Sequence, residues 1–483
     1  MEVKQITISQ NVTLKEAMEA LNRVALGIIF INDSDGKLSG VLSDGDIRRS
    51  FLRGSVLGDL VSTVMNRTFF SLPVGTDNEK IIASFTEQIK IIPLLDVEGR
   101  VVDFATNKKI RQIPVAAPQL DGNELAYVTD CIKTSWISSQ GKYVREFENI
   151  FKERIQLPNA LAVSNGTVAL HLALVALGIG KGDEVIVPNL TFAASVNAII
   201  YTGATPVLAD VDPMNWNLSA ETIRPLLSEK TKAIMPVHLY GHPCDMDGIL
   251  DLAKEKNLFV VEDCAEALGS LYKGKPIGSF GDVSTFSFFG NKTITTGEGG
   301  MVLFQDSAIA EKASLLRDHG MSKEKRYWHV EVGFNYRMTN LQAALGVAQM
   351  ERLDQFVTKK REIAEYYNSI LKEIPGITLP PEERWAWNSY WLYTFLLPLG
   401  DEERSRLTNG MNQDGIETRP IFFPIHEMPP YKNYVRGDLS VSKTISRRGF
   451  SLPSSVNLTD EDRQRVGESL IRHLPSIVGS SVK

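Results

Sequence analysis

Apolar and polar positions along the first hundred or so residues follow an order that occurs twice. The stretch VTLKEAMEALNRVALGIIFINDSDGKLSGVLSDGDIRR reads as a helix, a strand, an Asp-Gly hairpin turn, a second strand and a second helix. The later stretch TDNEKIIASFTEQIKIIPLLDVEGRVVDFATNKKI repeats that order. The turn Asp35-Gly36 corresponds to Glu98-Gly99, and the strand Gly27 to Ile31 corresponds to Ile91 to Leu95. Each half is too small to enclose a core, so the two are expected to pack on each other. A boundary falls at Lys109 to Pro118, where IPVAAPQLDGNE carries two prolines and an Asp-Gly. Beyond it, helical and strand patterns alternate to the C-terminus, which predicts an α/β domain built on a mainly parallel sheet.

Composition narrows the class without naming it. The chain has 483 residues, 43% apolar and 23% charged, ample for more than one domain. Fifty-two Lys and Arg against 58 Asp and Glu give a net charge of -6, the wrong sign for a nucleic-acid binder. No apolar run approaches the roughly 18 residues of a membrane helix, and MEVKQITISQ lacks a signal-peptide core. Cys131, Cys244 and Cys264 are too few and too scattered for a disulfide framework or a zinc cluster. The expectation is a cytoplasmic protein of several domains.

Three segments carry chemistry. Leu161-Ala162-Val163 is a short strand, and Ser164-Asn165-Gly166-Thr167 opens the helix VALHLALVALGI. Free N–H groups at such a start, and the helix dipole, suit an anion, although Ser or Asn there is also an ordinary cap. Val260-Val261-Glu262-Asp263 is a buried-type strand ending in acid, where open α/β sheets collect ligands. In GSFGDVSTFSFFGNKTITTGEGG a strand from Val283 to Phe289 leads to a turn carrying Lys292, followed by Gly297-Glu298-Gly299-Gly300. A partly desolvated lysine has a lowered pKa and forms Schiff bases. A phosphate-binding helix start, a strand-end Asp and a loop Lys together make the constellation of a pyridoxal phosphate enzyme.

The N-terminal part resembles the cystathionine-β-synthase (CBS) domain pair, a regulatory module that often binds adenine nucleotides. The likeness rests on Gly40-Val41-Leu42-Ser43-Asp44-Gly45-Asp46. It implies that Ser43 reaches a phosphate and Asp46 accepts ribose hydroxyls. In the second half Thr106 holds the hydroxyl position, and Lys109 stands where the Asp would be. Capping of the helix that begins near Ile47 accounts for Ser43 and Asp46 equally well.

The rest of the chain resembles the DegT-type, fold-type I sugar-nucleotide aminotransferases, through FSFFGNKTITTGEGG, YWHVEVGFNYRMTNLQAALG and TRPIFFPIHEMPPY. The resemblance implies a PLP-binding large domain over 113–360 and a small α/β domain over 361–483, after a CBS pair over 1–110. Lys292 becomes the Schiff-base lysine and proton shuttle, where relatives that dehydrate carry His. Asp263 becomes the partner of the pyridine nitrogen, and Glu266 lies beside the ring hydroxyl. Gly166 and Thr167 give backbone amides to the phosphate, and Ser287 gives a hydroxyl. Phe192 stacks on the ring, although core packing is the usual role of such an aromatic. Asn335, Tyr336 and Arg337 match a loop that reaches the neighbouring subunit's site, which implies at least a homodimer. Tyr327, Trp328, His329, His426 and Tyr431 fall in segments that look substrate-facing. Arg337 suits either a diphosphate or a carboxylate. His238 and Cys264 are given no catalytic role.

The expected function is amination of a nucleotide-linked, GDP-linked 4-keto-6-deoxy sugar, with L-glutamate as donor. An adenine or guanine nucleotide would bind near Ser43 and Asp46 and alter activity or assembly. The rivals are the same chemistry on a UDP- or dTDP-linked sugar, at C3 or C4, and a non-catalytic regulator that keeps the fold.

Overall fold

The computed structural model describes residues 3–24, 26–86, 88–106, 112–398 and 400–474. Lys109 and the rest of the expected boundary segment before Gln112 lie outside them. The chain forms two compact units, Met1–Gln112 and Ile113–Lys483.

In the first unit the apolar repeat becomes two three-stranded sheets. One holds β1 (Thr7–Ser9), β2 (Ile28–Asn32) and β3 (Leu38–Ser43); the other holds β4 (Leu72–Pro73), β5 (Ile91–Leu95) and β6 (Val101–Thr106). In each, the first strand runs parallel to the second and the second antiparallel to the third. The short leading strands β1 and β4 were not foreseen. Even the irregularities repeat, with register shifts at Ile31/Asn32 and at Leu94/Leu95. Asp33 Oδ1 accepts from the amides of Asp35 and Lys37, as Asp96 Oδ1 accepts from those of Glu98 and Arg100. Gly36 and Gly99 follow at φ +78° and +83°, a conformation that costs a glycine little. The halves share a core: Phe104 of β6 is buried in the cluster of Ile29, Phe30 and Ile31, with ring centroids of Phe30 and Phe104 6.1 Å apart.

The second unit is built on a seven-stranded sheet. Its strands are β7 (Asn159–Val163), β8 (Glu184–Pro188), β9 (Thr205–Ala209), β10 (Thr231–Ile234) and β11 (Phe259–Asp263). After a small hairpin, β12 (Leu271–Tyr272) and β13 (Lys275–Pro276), come β14 (Val283–Ser287) and β15 (Gly300–Phe304). The order is β7-β15-β14-β11-β10-β8-β9, with only β15 antiparallel to its neighbours. Both faces are covered, which is why the strands read as unbroken apolar runs. Alternate residues go to opposite cores: Ile186, Val260, Met301 and Leu303 to one, Val185, Val187, Val261 and Val302 to the other.

The C-terminal layer adds β16 (Ala386–Trp387), which extends the small hairpin, and an antiparallel sheet of β17 (Tyr393–Leu396), β18 (Arg419–Pro420) and β19 (Gly449–Leu452) in the order β17-β19-β18. The helix Leu353–Leu371 joins the layers. Its first turns bury Leu353, Phe356 and Val357 in the large-sheet core, and its later turns bury Ile363, Ala364, Tyr367 and Leu371 in the C-terminal core. A division between residues 360 and 361 therefore falls inside one helix. Ile113, at the other end of the unit's sequence, also packs in the C-terminal core.

Candidate active site

Strands β7, β11 and β14 point the same way, so their carboxyl ends meet at one edge of the sheet, beside a cavity of about 630 Å³. This is where open α/β sheets bind ligands. From β7 the chain passes through Asn165 into the helix Gly166–Ala176, and the Asn165 side chain accepts from the Val168 amide at 3.0 Å. The amides of Gly166 and Thr167, in the first turn, have no intrahelical acceptor. Ser287 ends β14 beside them. A Cβ on Gly166 would lie 2.7 Å from the Ser287 Cβ, so only glycine permits this approach. The result is a cradle of two N–H groups and a hydroxyl at a positive helix end.

Asp263 ends β11 and is 4% exposed. Its carboxylate accepts from Ser195 Oγ at 2.8 Å and from the Ala265 amide at 3.1 Å. Burial pushes its pKa up, against these hydrogen bonds and the nearby Lys292 and His238. Glu266 is 3% exposed and accepts from the Tyr240 amide at 2.9 Å. Burial carries it up to about 7, against the pull of Lys292. Lys292 follows β14, and its enclosure lowers the amine's pKa against the attraction of Glu266 and Asp263. Its Nζ lies 3.8 Å from the ring centroid of Trp391, whose Nε1 donates to the Asn291 carbonyl at 2.8 Å.

Aromatic rings form the remaining wall. Tyr240 stacks on Trp391 at 5.9 Å and on Phe422 at 5.2 Å, and Phe192 meets Phe422 at 5.9 Å. Phe192 is 58% exposed and lines the cavity, so it is not a core residue. Sequence reading missed Ser195, Tyr240, Trp391 and Arg419 among the lining residues. Arg419 lay within the quoted TRPIFF segment, but nothing in its spacing distinguished it from a surface cation.

The structure gathers Gly166, Thr167, Phe192, Asp263, Glu266, Ser287 and Lys292 around one cavity and leaves other expected residues away from it. Asn335 is exposed and bridges to Asp318. Tyr336 Oη lies 3.0 Å from His171 Nδ1, and Arg337 pairs with the Asp318 carboxylate at 3.1 Å. Tyr327 and Trp328 are exposed, and His329 Nδ1 lies 2.9 Å from the His319 carbonyl. His426 and Tyr431, expected to face substrate, do not line this chain's own cavity. His426 Nδ1 lies 3.0 Å from Asn189 Oδ1, and Tyr431 is buried with its hydroxyl on Asn197 Oδ1 at 2.8 Å. Tyr431 packs in the core, whereas His426 is half-buried. His238 is a satisfied core histidine: Nδ1 accepts from the Cys244 amide, and Nε2 lies 3.1 Å from Glu262 Oε2.

In the first unit Ser43 and Asp46 form a capping box on the helix Asp44–Leu52, which begins three residues earlier than expected. The Asp46 carboxylate accepts from the Ser43 amide and hydroxyl and pairs with Arg49 at 2.6 Å. Capping is thus a realised role of both residues. Thr106 ends β6 opposite Ile91.

An anion cradle, a buried carboxylate at a strand end, an aromatic face and an enclosed amine fit pyridoxal phosphate group by group. Comparison with known proteins agrees. The DegT/DnrJ/EryC1/StrS aminotransferase family model matches residues 118–471, and a CBS domain model matches residues 1–53. GDP-perosamine synthase of Escherichia coli O157:H7 is 49% identical over 361 residues, 75% of this chain and 98% of that protein. GDP-perosamine synthase of Caulobacter vibrioides is 49% identical over 357 residues, 74% of this chain and 96% of that protein. Among solved structures, the aminotransferase TlmJ from Streptoalloteichus hindustanus superposes with a TM-score of 0.72 at 31% identity, covering 76% of this chain and 99% of that one. Spr1654 from Streptococcus pneumoniae, solved in a PLP form, gives a TM-score of 0.72 at 27% identity, over 76% and 99% of the two chains. The chain belongs to the DegT/DnrJ/EryC1/StrS aminotransferase family and carries a CBS domain at its N-terminus.

Proposed function

We propose that this chain is a pyridoxal phosphate-dependent aminotransferase that moves the amino group of L-glutamate onto a GDP-linked 4-keto-6-deoxy sugar. The observation that carries the reading is the Lys292 amine, enclosed with the buried carboxylates of Asp263 and Glu266 in a cavity at the carboxyl edge of the sheet. The GDP-linked substrate follows from the two relatives named GDP-perosamine synthase, matched over nearly their whole length.

When bound, pyridoxal phosphate supplies an electron sink for a carbanion at the donor's α-carbon. The chain's residues do the rest. Gly166 and Thr167 amides and the Ser287 hydroxyl hold the phosphate. Asp263, oriented by Ser195 and the Ala265 amide, keeps the pyridine nitrogen protonated. Glu266 would hold the cofactor's ring hydroxyl, and Phe192 would pack against the ring. Lys292 would take the proton from the donor α-carbon and, in the reverse sense, return one to the sugar carbon. Its lowered pKa raises the share of neutral amine able to do this at neutral pH.

Asn335 of a second copy completes the phosphate site, which makes the working unit at least a homodimer. The first unit is a regulatory CBS pair that takes a purine nucleotide near Ser43, Asp46 and Thr106. Binding there must compete with the capping box that now holds Ser43 and Asp46. The enzyme works in the cytoplasm; among the described residues no helix is long and apolar enough to cross a membrane.

The test is turnover of GDP-, UDP- and dTDP-linked 4-keto-6-deoxy sugars with glutamate by the purified holoenzyme, with products identified by NMR. Turnover restricted to the UDP- or dTDP-linked sugar would overturn the substrate. Lys292→Ala is expected to lower kcat by roughly 10²- to 10⁴-fold or more and to change the visible absorbance of the bound cofactor. An unchanged rate would overturn the mechanism.

A further inference from the structure

The amino donor and the nucleotide sugar are both anions, one through carboxylates and the other through a diphosphate. Arg337, the cation first matched to that chemistry, pairs through Nη1 with Asp318 and does not line this chain's cavity. Among the described lining residues the cavity has one arginine, Arg419, on β18. Its Nε and Nη2 both donate to Glu417 Oε1, at 3.2 and 3.1 Å. Nη1 has no protein partner among the described residues. A guanidinium held on one edge by a carboxylate presents its other edge in a fixed plane, and that plane suits the paired oxygens of a carboxylate or phosphate.

Glu417 is itself held in place. Its Oε2 accepts from the Val115 amide at 3.0 Å, and its own amide donates to the Ile113 carbonyl at 2.9 Å. The Val115 carbonyl in turn accepts from the Ser454 amide at 2.7 Å. The strap Ile113–Val115 is the first stretch of chain after the N-terminal unit, so the anchor of Arg419 is the segment at which the second unit begins. The Arg419 side chain keeps 36% of its surface exposed, at the mouth of a cavity whose deeper cation is Lys292.

We propose that Arg419, positioned by Glu417, is the residue that binds the oxyanion of the substrate at the cavity mouth, either the donor's carboxylate or the nucleotide sugar's diphosphate. The assignment rests on the aminotransferase reading and adds to it the group that recognises substrate charge. Arg419 touches substrate; Glu417 acts through Arg419.

The experiment compares wild-type holoenzyme with Arg419→Gln and Arg419→Lys by calorimetric binding of 2-oxoglutarate, GDP and UDP, and by KM and kcat for both substrates. Retained visible absorbance of the bound cofactor serves as the check on the folded site. Arg419→Gln is expected to weaken either 2-oxoglutarate or GDP by roughly 10- to 100-fold, with KM rising more than kcat falls. Arg419→Lys is expected to recover part of the loss, since it restores charge without the planar fork. A loss confined to 2-oxoglutarate assigns the carboxylate, and a loss confined to GDP or UDP assigns the diphosphate. Binding of all three within twofold of wild type overturns the proposal. Should Arg419→Gln lose its absorbance, Arg419→Lys decides by the same readings, and unchanged affinities there overturn it as well. Failure of wild type to aminate any GDP-sugar would sink the substrate assignment while leaving the binding comparison intact.

Discussion

Glu266 and Lys292 are opposite charges enclosed in one cavity, and burial moves each toward its neutral form. For Glu266 the consequence can be signed. Its folded-state value of about 7 stands above the ordinary 4.5, so the folded chain holds a proton that the unfolded chain has released. That contribution to stability is fully present below pH 4.5 and is lost as the pH rises to about 7. Glu266→Gln should therefore flatten the fall in Tm of the cofactor-free chain across this window, read by calorimetry at several pH values. Parallel profiles for variant and wild type would show that the carboxyl titrates normally. At this scale Asp263 and Lys292 were legible from the chain, because a strand-terminal acid and a lysine between an apolar strand and a Gly-rich run are local patterns. Ser195, Tyr240, Trp391 and Arg419 were not, because nothing local to any of them marks the cavity they share.

At the scale of elements, the helix Gly166–Ala176 and the end of β14 form the anion cradle by approaching more closely than any side chain allows. Gly166→Ala should push Ser287 away from the helix start and weaken cofactor binding by roughly 10- to 100-fold, measured by absorbance titration. Unchanged affinity would mean that the helix start and Ser287 do not hold the phosphate together. In the first unit the capping box on Asp44–Leu52 gives a separate expectation. Ser43→Ala should destabilise that unit by about 1 kcal/mol, the usual worth of an N-cap, seen as a lower denaturation midpoint. The repeat was visible as paired turns and paired apolar strands. Its short leading strands β1 and β4 were not, because three residues or fewer carry no period. The helix Leu353–Leu371 shows the opposite case, in which a regular apolar pattern hides the fact that successive turns serve two different cores.

Across the molecule, Lys360 reports on the joint between those cores. It is 4% exposed, and its ammonium donates to the carbonyls of Trp391 and Ser454 at 3.0 and 2.9 Å. Burial brings its pKa down to about 7 from 10.5. Between these values the unfolded chain binds the extra proton, so the stability contribution rises with pH from about 7 to 10.5. Lys360→Met should remove that rise, leaving a flatter Tm profile on the alkaline side. A variant profile that still climbs in parallel with wild type would place the titration elsewhere.

The sequence by itself determined what depends on neighbours along the chain: the repeat and its Gly turns, the parallel α/β order, and the strand and loop positions of Asp263, Ser287 and Lys292. These follow from periods of 2 and 3.6 and from the few residues that tolerate turns. Only the tertiary structure decided which of the remaining polar groups share a cavity. It put Arg419 at the cavity and tied Arg337 to Asp318, and it packed Tyr431 in the core and set His426 against Asn189. Burial and electrostatic strength depend on what lies across space, and residues hundreds of positions apart acquire their pKa and their partners only when the sheet brings them together.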